Sequence, residues 1–138
     1  MVKVAITNAL RGQMQAWGLD PAELIEDFTT WKSGPEDDHF TFGSNALGRG
    51  SKLLHHVHMV PLFVPEAYDQ WLVNWENYRP RTSDRYLFYV DGGLAYGYLL
   101  IAIINDPGAH AVWQPQYAQY RKDLESIADD FFHFGIIP

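Results

Sequence analysis

A chain of 138 residues with 17 acidic and 10 basic side chains carries a formal charge of −7, long enough to bury one core but too acidic to wrap free nucleic acid, which needs many Lys and Arg contacts to phosphate. The absence of cysteine excludes disulfide and thiolate chemistry. Nearly half the residues are apolar and the longest apolar run is Tyr98 to Ile104, so a folded, soluble, cytoplasmic protein of one domain (1–138) with no membrane partner is expected.

In chain order, VKVAIT (residues 2 to 7) alternates apolar and polar and predicts a first strand. Asp20 as N-cap, Pro21 at the first helical position and Glu23 in a capping-box pattern predict a first helix, with Leu24, Ile25, Phe28 and Trp31 on one apolar face. Gly34 and Pro35 end it, and EDDHFTFGSNALGRGS reads as a glycine-rich loop. Leu53 to Leu62 predicts a second strand that Pro61 closes. Pro65 then opens a helix with Tyr68, Trp71, Trp75 and Tyr78 on one face. Arg85 to Asp91 and Tyr98 to Asn105 predict two further strands joined through Gly92, Gly93 and Gly97. The run LLIAII is that of a central strand covered on both faces. After Pro107 and Gly108, Tyr117, Tyr120, Leu124, Ile127, Ala128 and Phe131 outline a C-terminal helix. The fold class is α+β, a sheet of about four strands packed against helices.

Chemistry-bearing residues gather in two places. On the second predicted strand, His56 and His58 are two residues apart and share a face, while His55 points away. Residues 53 to 78 hold three acids and no Lys or Arg, yet Arg79, Arg81 and Arg85 fall within the next seven positions around Thr82, Ser83 and Asp84. Arginine's planar fork suits phosphate oxygens, and Arg81, at the start of a strand, is expected to be exposed. The other reading of this run is a solvated connector whose Asp84 caps a turn and pairs with an arginine. His56 and His58 can likewise be acid–base groups or half-buried structural rings, and the Tyr68, Trp71, Trp75, Tyr78 stripe can stack bases, grip a partner or fill the core. His39 and His133 receive no role.

The segments LDPAELIEDFTTWK, FGSNALG, HHVHM, RTSDRYLFYV, YGYLLIAIINDPGAH and YRKDLESIADDF, in that order from Leu19 to Phe131, resemble the YafO family of toxins from bacterial type II toxin–antitoxin systems. The resemblance implies a RelE-like domain with an antiparallel sheet, ribosome-dependent cleavage of mRNA, and silencing by a cognate antitoxin. It matches Arg81, Thr82 and Asp84, and it places a histidine at 110.

Metal-independent RNA cleavage needs a base for the ribose 2′-hydroxyl, an acid for the leaving 5′-oxygen, and positive charge at the phosphate. His56, His58, Arg81, Asp84 and His110 are therefore the expected catalytic set, and Arg79, Arg85, Tyr117, Arg121 and Lys122 the expected RNA-binding set. The ribosome and mRNA are the expected partners besides the antitoxin, with no direct DNA contact and no cofactor or metal. Two rival functions stay open: a metal-binding protein built on His56, His58 and His110, and a non-enzymatic protein-interaction module.

Overall fold

The structure is a computed structural model that describes residues 2–47 and 51–138. Its centre is a five-stranded sheet with the order β1-β5-β4-β3-β2, formed by β1 (Val4–Ile6), β2 (Phe42–Leu47), β3 (Leu54–Met59), β4 (Tyr86–Asp91) and β5 (Tyr98–Ile104). Neighbouring strands run antiparallel except β1, which pairs parallel with β5. The sheet is thus mixed and one strand larger than the antiparallel four expected. The additional strand is β2, which the glycine, serine and asparagine of FGSNAL disguise as loop. It pairs with β3 through a register irregularity between Phe42 and Asn45. Residues 48–50 of that expected loop lie outside the described residues.

All four strand predictions place their elements within three residues of the observed ends. Strand β3 stops at Met59 because the chain then turns: the N–H groups of Leu62, Phe63 and Val64 all donate to the Asp106 carboxylate. Glycine is required at Gly97, where φ is +71° and an added Cβ would lie 2.4 Å from the Lys3 carbonyl oxygen. At Gly43 a Cβ would lie 2.2 Å from the Arg81 carbonyl oxygen, so β2 and the segment before β4 touch backbone to backbone there.

Helices cover both faces. On one side lie α1 (Asn8–Ala16) and α2 (Pro21–Lys32). Asp20 caps α2 by accepting from the Ala22 N–H at 2.9 Å, and Leu24, Phe28 and Trp31 are buried as the periodicity predicts. They meet Leu10, Met14, Phe42, Val57, Leu87 and Leu100 in the first half of the core. The helix α1 is absent from the sequence prediction. Only Leu10 and Met14 anchor it, and its N-cap, Thr7, spends its hydroxyl both on Leu10 N–H and on the distant Ile101 carbonyl.

On the other side α5 (Ala118–Phe134), with 3₁₀ turns at Ala109–Trp113 and Pro115–Tyr117 before it, buries Leu124, Ala128 and Phe131 against Phe88, Val90, Leu99 and Ile101. Strand β5 is buried from Leu99 to Ile103, which agrees with its central reading. The short α4 (Gly93–Tyr96) links β4 to β5. Along α3 (Pro65–Glu76) the aromatic stripe divides: Trp71 is buried and donates to the Phe40 carbonyl, Trp75 meets the Phe40 ring, Tyr68 is half out, and Tyr78 is 98% exposed beyond the helix end. Among the described residues no helix is long and apolar enough to cross a membrane.

Candidate active site

Residues 81 to 85 lead into β4 from outside the strand, and their side chains alternate in burial. Arg81, Ser83 and Arg85 turn inward and are buried, whereas Thr82 is exposed and Asp84 half-exposed. Arg81, expected at the surface, is 5% exposed. Its guanidinium donates to the carbonyls of His39 and Phe40, at 2.9 Å each, and of Asp37, and lies 4.8 Å from the Trp75 ring centroid. Burial lowers its affinity for its proton, an effect that Asp37 opposes.

Arg85, expected to contact RNA, is 3% exposed. It donates through Nε to Asn105 and through Nη1 to the Val60 carbonyl. Burial brings its pKa down to about 10 against the pull of Asp106, so it remains charged at neutral pH. Both guanidiniums are engaged in tying loops to the sheet. The expectation that they face a phosphate from the surface is corrected by their burial and by their bonds to protein oxygens.

Asp84 turns the other way and meets His110. Its Oδ1 accepts from the His110 backbone N–H and lies 2.7 Å from His110 Nδ1, and Oδ2 accepts from the Gly108 N–H. Partial burial alone would raise its pKa, but the two backbone donors and the imidazole outweigh that and hold the carboxyl below the ordinary value. Asp84 therefore pairs with a histidine 26 positions away, not with a neighbouring arginine. With Nδ1 committed to the carboxylate, His110 presents Nε2 outward on a side chain that is 60% exposed.

His58 completes the corner. Its ring centroid lies 6.1 Å from that of His110 and 6.0 Å from that of His56, and Tyr86 packs beside all three at 4.9 to 5.3 Å. Burial lowers the His58 pKa, partly opposed by hydrogen bonding with Ser83, while His110 lowers it further and Asp84 raises it. The ring therefore holds a proton less readily than a free imidazole. His56 stands one step further from Asp84, edge-on to Trp113 at 5.1 Å. His55 occupies the opposite face, stacked on Tyr89 at 4.9 Å, as the alternation predicts.

The remaining expected RNA contacts are scattered. Arg79 is exposed and lines a cleft of about 570 Å³ with Asp37, Asp38, Trp75 and Tyr78, apart from the histidines. Arg121 donates to the Val112 and Gln114 carbonyls and so pins the turn that carries Trp113. Lys122 is exposed in a shallow cleft with Lys52 and Phe132, and Tyr117 is 41% exposed at the start of α5. The sequence reading passed over Ser83, Tyr86 and Trp113. The phase of the 81–85 segment was the available signal for the first two, and Trp113 had none. Among the described residues no three His, Asp or Glu side chains converge as a metal-binding group.

The model of one protein family, described as toxin YafO of a type II toxin–antitoxin system, matches residues 30–133. That span runs from the end of α2 to the end of α5 and contains the whole histidine corner. No curated protein and no solved structure matches the chain.

Proposed function

We propose, from the premise that this chain belongs to the YafO family of type II toxin–antitoxin toxins, that it is an endoribonuclease cutting mRNA on the ribosome, with His58 and His110 as its proton-transfer pair. A toxin of this kind implies a cognate antitoxin. The observation that carries the reading is the Asp84–His110 contact of 2.7 Å with a second imidazole whose centroid lies 6.1 Å away.

In-line attack puts the 2′-oxygen and the leaving 5′-oxygen on opposite sides of phosphorus, so base and acid have to flank the phosphate, each within roughly 2.6–3.2 Å of its oxygen. Two rings at this separation leave room for that. His58 takes the 2′-hydroxyl proton as the new O–P bond forms. His110, held in one orientation by Asp84, gives its Nε2 proton to the 5′-oxygen as the old P–O bond breaks. The products are a 2′,3′-cyclic phosphate and a 5′-hydroxyl. Positive charge at the phosphate then comes from protonated His110, since Arg81 and Arg85 are bonded to protein oxygens. His56 extends the same face as a positioning group.

The charge distribution supports ribosome dependence. At −7 overall, with both arginines of the cluster buried, the chain has little means to gather free RNA, so the message has to be delivered to it. The sheet side bearing the histidines is the mRNA-facing surface, in keeping with a RelE-like reading.

Inducing the protein alone is expected to arrest growth with loss of messages that an initiation inhibitor protects. The cut ends should carry 2′,3′-cyclic or 3′-phosphates, and cleavage should survive EDTA. Intact messages in arrested cells would overturn the nuclease reading. Sensitivity to chelation with 5′-phosphate ends would replace it by a metal-dependent one.

A further inference from the structure

The chain leaves α3 through a residue with left-handed backbone. Tyr78 has a φ of +55°. Its N–H donates to the Trp75 carbonyl at 3.3 Å, and the next N–H, that of Arg79, donates to the Asn74 carbonyl at 2.8 Å. Helices that end in this pattern usually carry glycine at the left-handed position, because a side chain there crowds its own backbone. Tyr78 holds the position with a side chain that is 98% exposed. The ring fills no part of the core, and glycine would make the same turn with less strain.

This conformation sets the phenol ring at the wall of the cleft of about 570 Å³, with half-buried Trp75 and exposed Asp37, Asp38, Glu76 and Arg79. None of these residues belongs to the histidine corner. Aromatic faces attract a cation through their quadrupole, and carboxylates attract it through charge-assisted hydrogen bonds. Arg81 also lies near Trp75, but its guanidinium is committed to the carbonyls of Asp37, His39 and Phe40. Among the described residues Asp37, Asp38 and Glu76 enter no ion pair, so their carboxylates are open to a partner. An RNA phosphate would meet the same three carboxylates as like charge.

We propose that this cleft docks a protein partner, which inserts an arginine or lysine side chain among Trp75, Tyr78, Asp38 and Glu76, and that the partner is the cognate antitoxin. The proposal rests on membership of the toxin family and not on the nuclease reading. Tyrosine, tryptophan and arginine are the residue types that dominate binding energy at protein interfaces, and the cleft offers one of each. A net charge of −7 favours a basic partner segment over an acidic one.

The test is NMR of the tryptophan indole N–H groups in the full chain. Trp75 is assigned by its loss in Trp75→Phe, and the buried Trp31 and Trp71 report on the fold. The probes are acetyl-Ala-Arg-Leu-Arg-Ala-amide, the same peptide with glutamate in place of arginine, and an oligouridylate. The arginine peptide should shift the Trp75 resonance saturably, and less tightly as salt rises, while the other two leave it in place. Tyr78→Gly should melt no lower than the parent yet raise the peptide Kd at least about tenfold, as the loss of an interface anchor does. Asp38→Asn combined with Glu76→Gln should raise it likewise, with Asp37 kept because its charge supports that of Arg81. The chain purified in complex with its antitoxin should no longer respond to the peptide.

A Trp75 resonance that the arginine peptide leaves unmoved, or that the glutamate peptide moves as far, overturns the proposal. A stronger response to the oligouridylate makes the cleft an RNA site, and a shift with protein concentration alone makes it a contact between copies; either overturns it. So does a Tyr78→Gly variant that binds like the parent or melts lower, or a charge variant that binds like the parent. A complex that still takes up the peptide removes the antitoxin from the cleft. Because every readout is binding, a chain that cuts no RNA defeats the nuclease reading and leaves this proposal to the spectra.

Discussion

Arg81 and Asp84 stand three residues apart in one charged run and have opposite fates. Arg81 is buried and bonded to three main-chain carbonyls of the 37–40 segment. Asp84 is half-exposed and bonded to the turn that carries His110. A guanidinium whose donors are spent on carbonyls holds loops in place. An imidazole with one nitrogen fixed by a carboxylate and the other facing water is available to a substrate. The availability of hydrogen-bonding capacity, more than charge, separates the structural region from the reactive one.

The sharpest division between them comes from truncating His110. His110→Ala should lower cleavage by about 10²–10⁴ while shifting stability by no more than about 0.5 kcal/mol, as for an ordinary surface change. In-vitro cleavage on translating ribosomes together with thermal melting checks this, and full toxicity in the variant would remove His110 from the site. The converse is expected of the arginines. Arg81→Ala and Arg85→Ala should each cost about 2–4 kcal/mol of folding stability, since each leaves buried acceptors without a charged donor. Urea unfolding measures the loss. A variant as stable as the parent but inactive would move that arginine from scaffold to site.

The smallest effect sharpens the comparison through pH. Burial lowers the pKa of His39, His55 and His58, so the unfolded chain binds protons more readily than the native one below the ordinary histidine value of about 6.5. Their contribution is complete above that pH and is lost as pH falls through the lowered native values. The slope should not exceed about 1.4 kcal/mol per pH unit for each ring, and partial exposure reduces it. Stability measured from about pH 7 down to pH 5 should decline. A flat profile would mean that the three rings are as solvated in the native state as in the unfolded one.

Much of this architecture is legible without coordinates, because its signals are local. Asp20, Pro21 and the Leu24, Phe28, Trp31 spacing specify α2 through capping and a 3.6-residue period. An unbroken apolar run marks β5 as an inner strand. The two-residue spacing of His56 and His58 fixes their common face whatever the partner strands are. What the sequence left open depended on distant groups. The strand β2 has no apolar alternation of its own and forms because β3 offers it a ladder. Helix α1 relies on a Thr7 hydroxyl that reaches Ile101.

Only the tertiary structure decided which members of Arg81–Arg85 face water. The answer depends on where that segment joins β4 and on carbonyls more than forty residues away that capture Arg81. The meeting of Asp84 with His110 likewise arises because β4 pairs antiparallel with β5, Tyr86 opposite Ile104, which returns the 106–110 turn to the start of β4. A sequence can state that a carboxylate and an imidazole are present. Bringing them to 2.7 Å is the work of a sheet whose register no local pattern encodes.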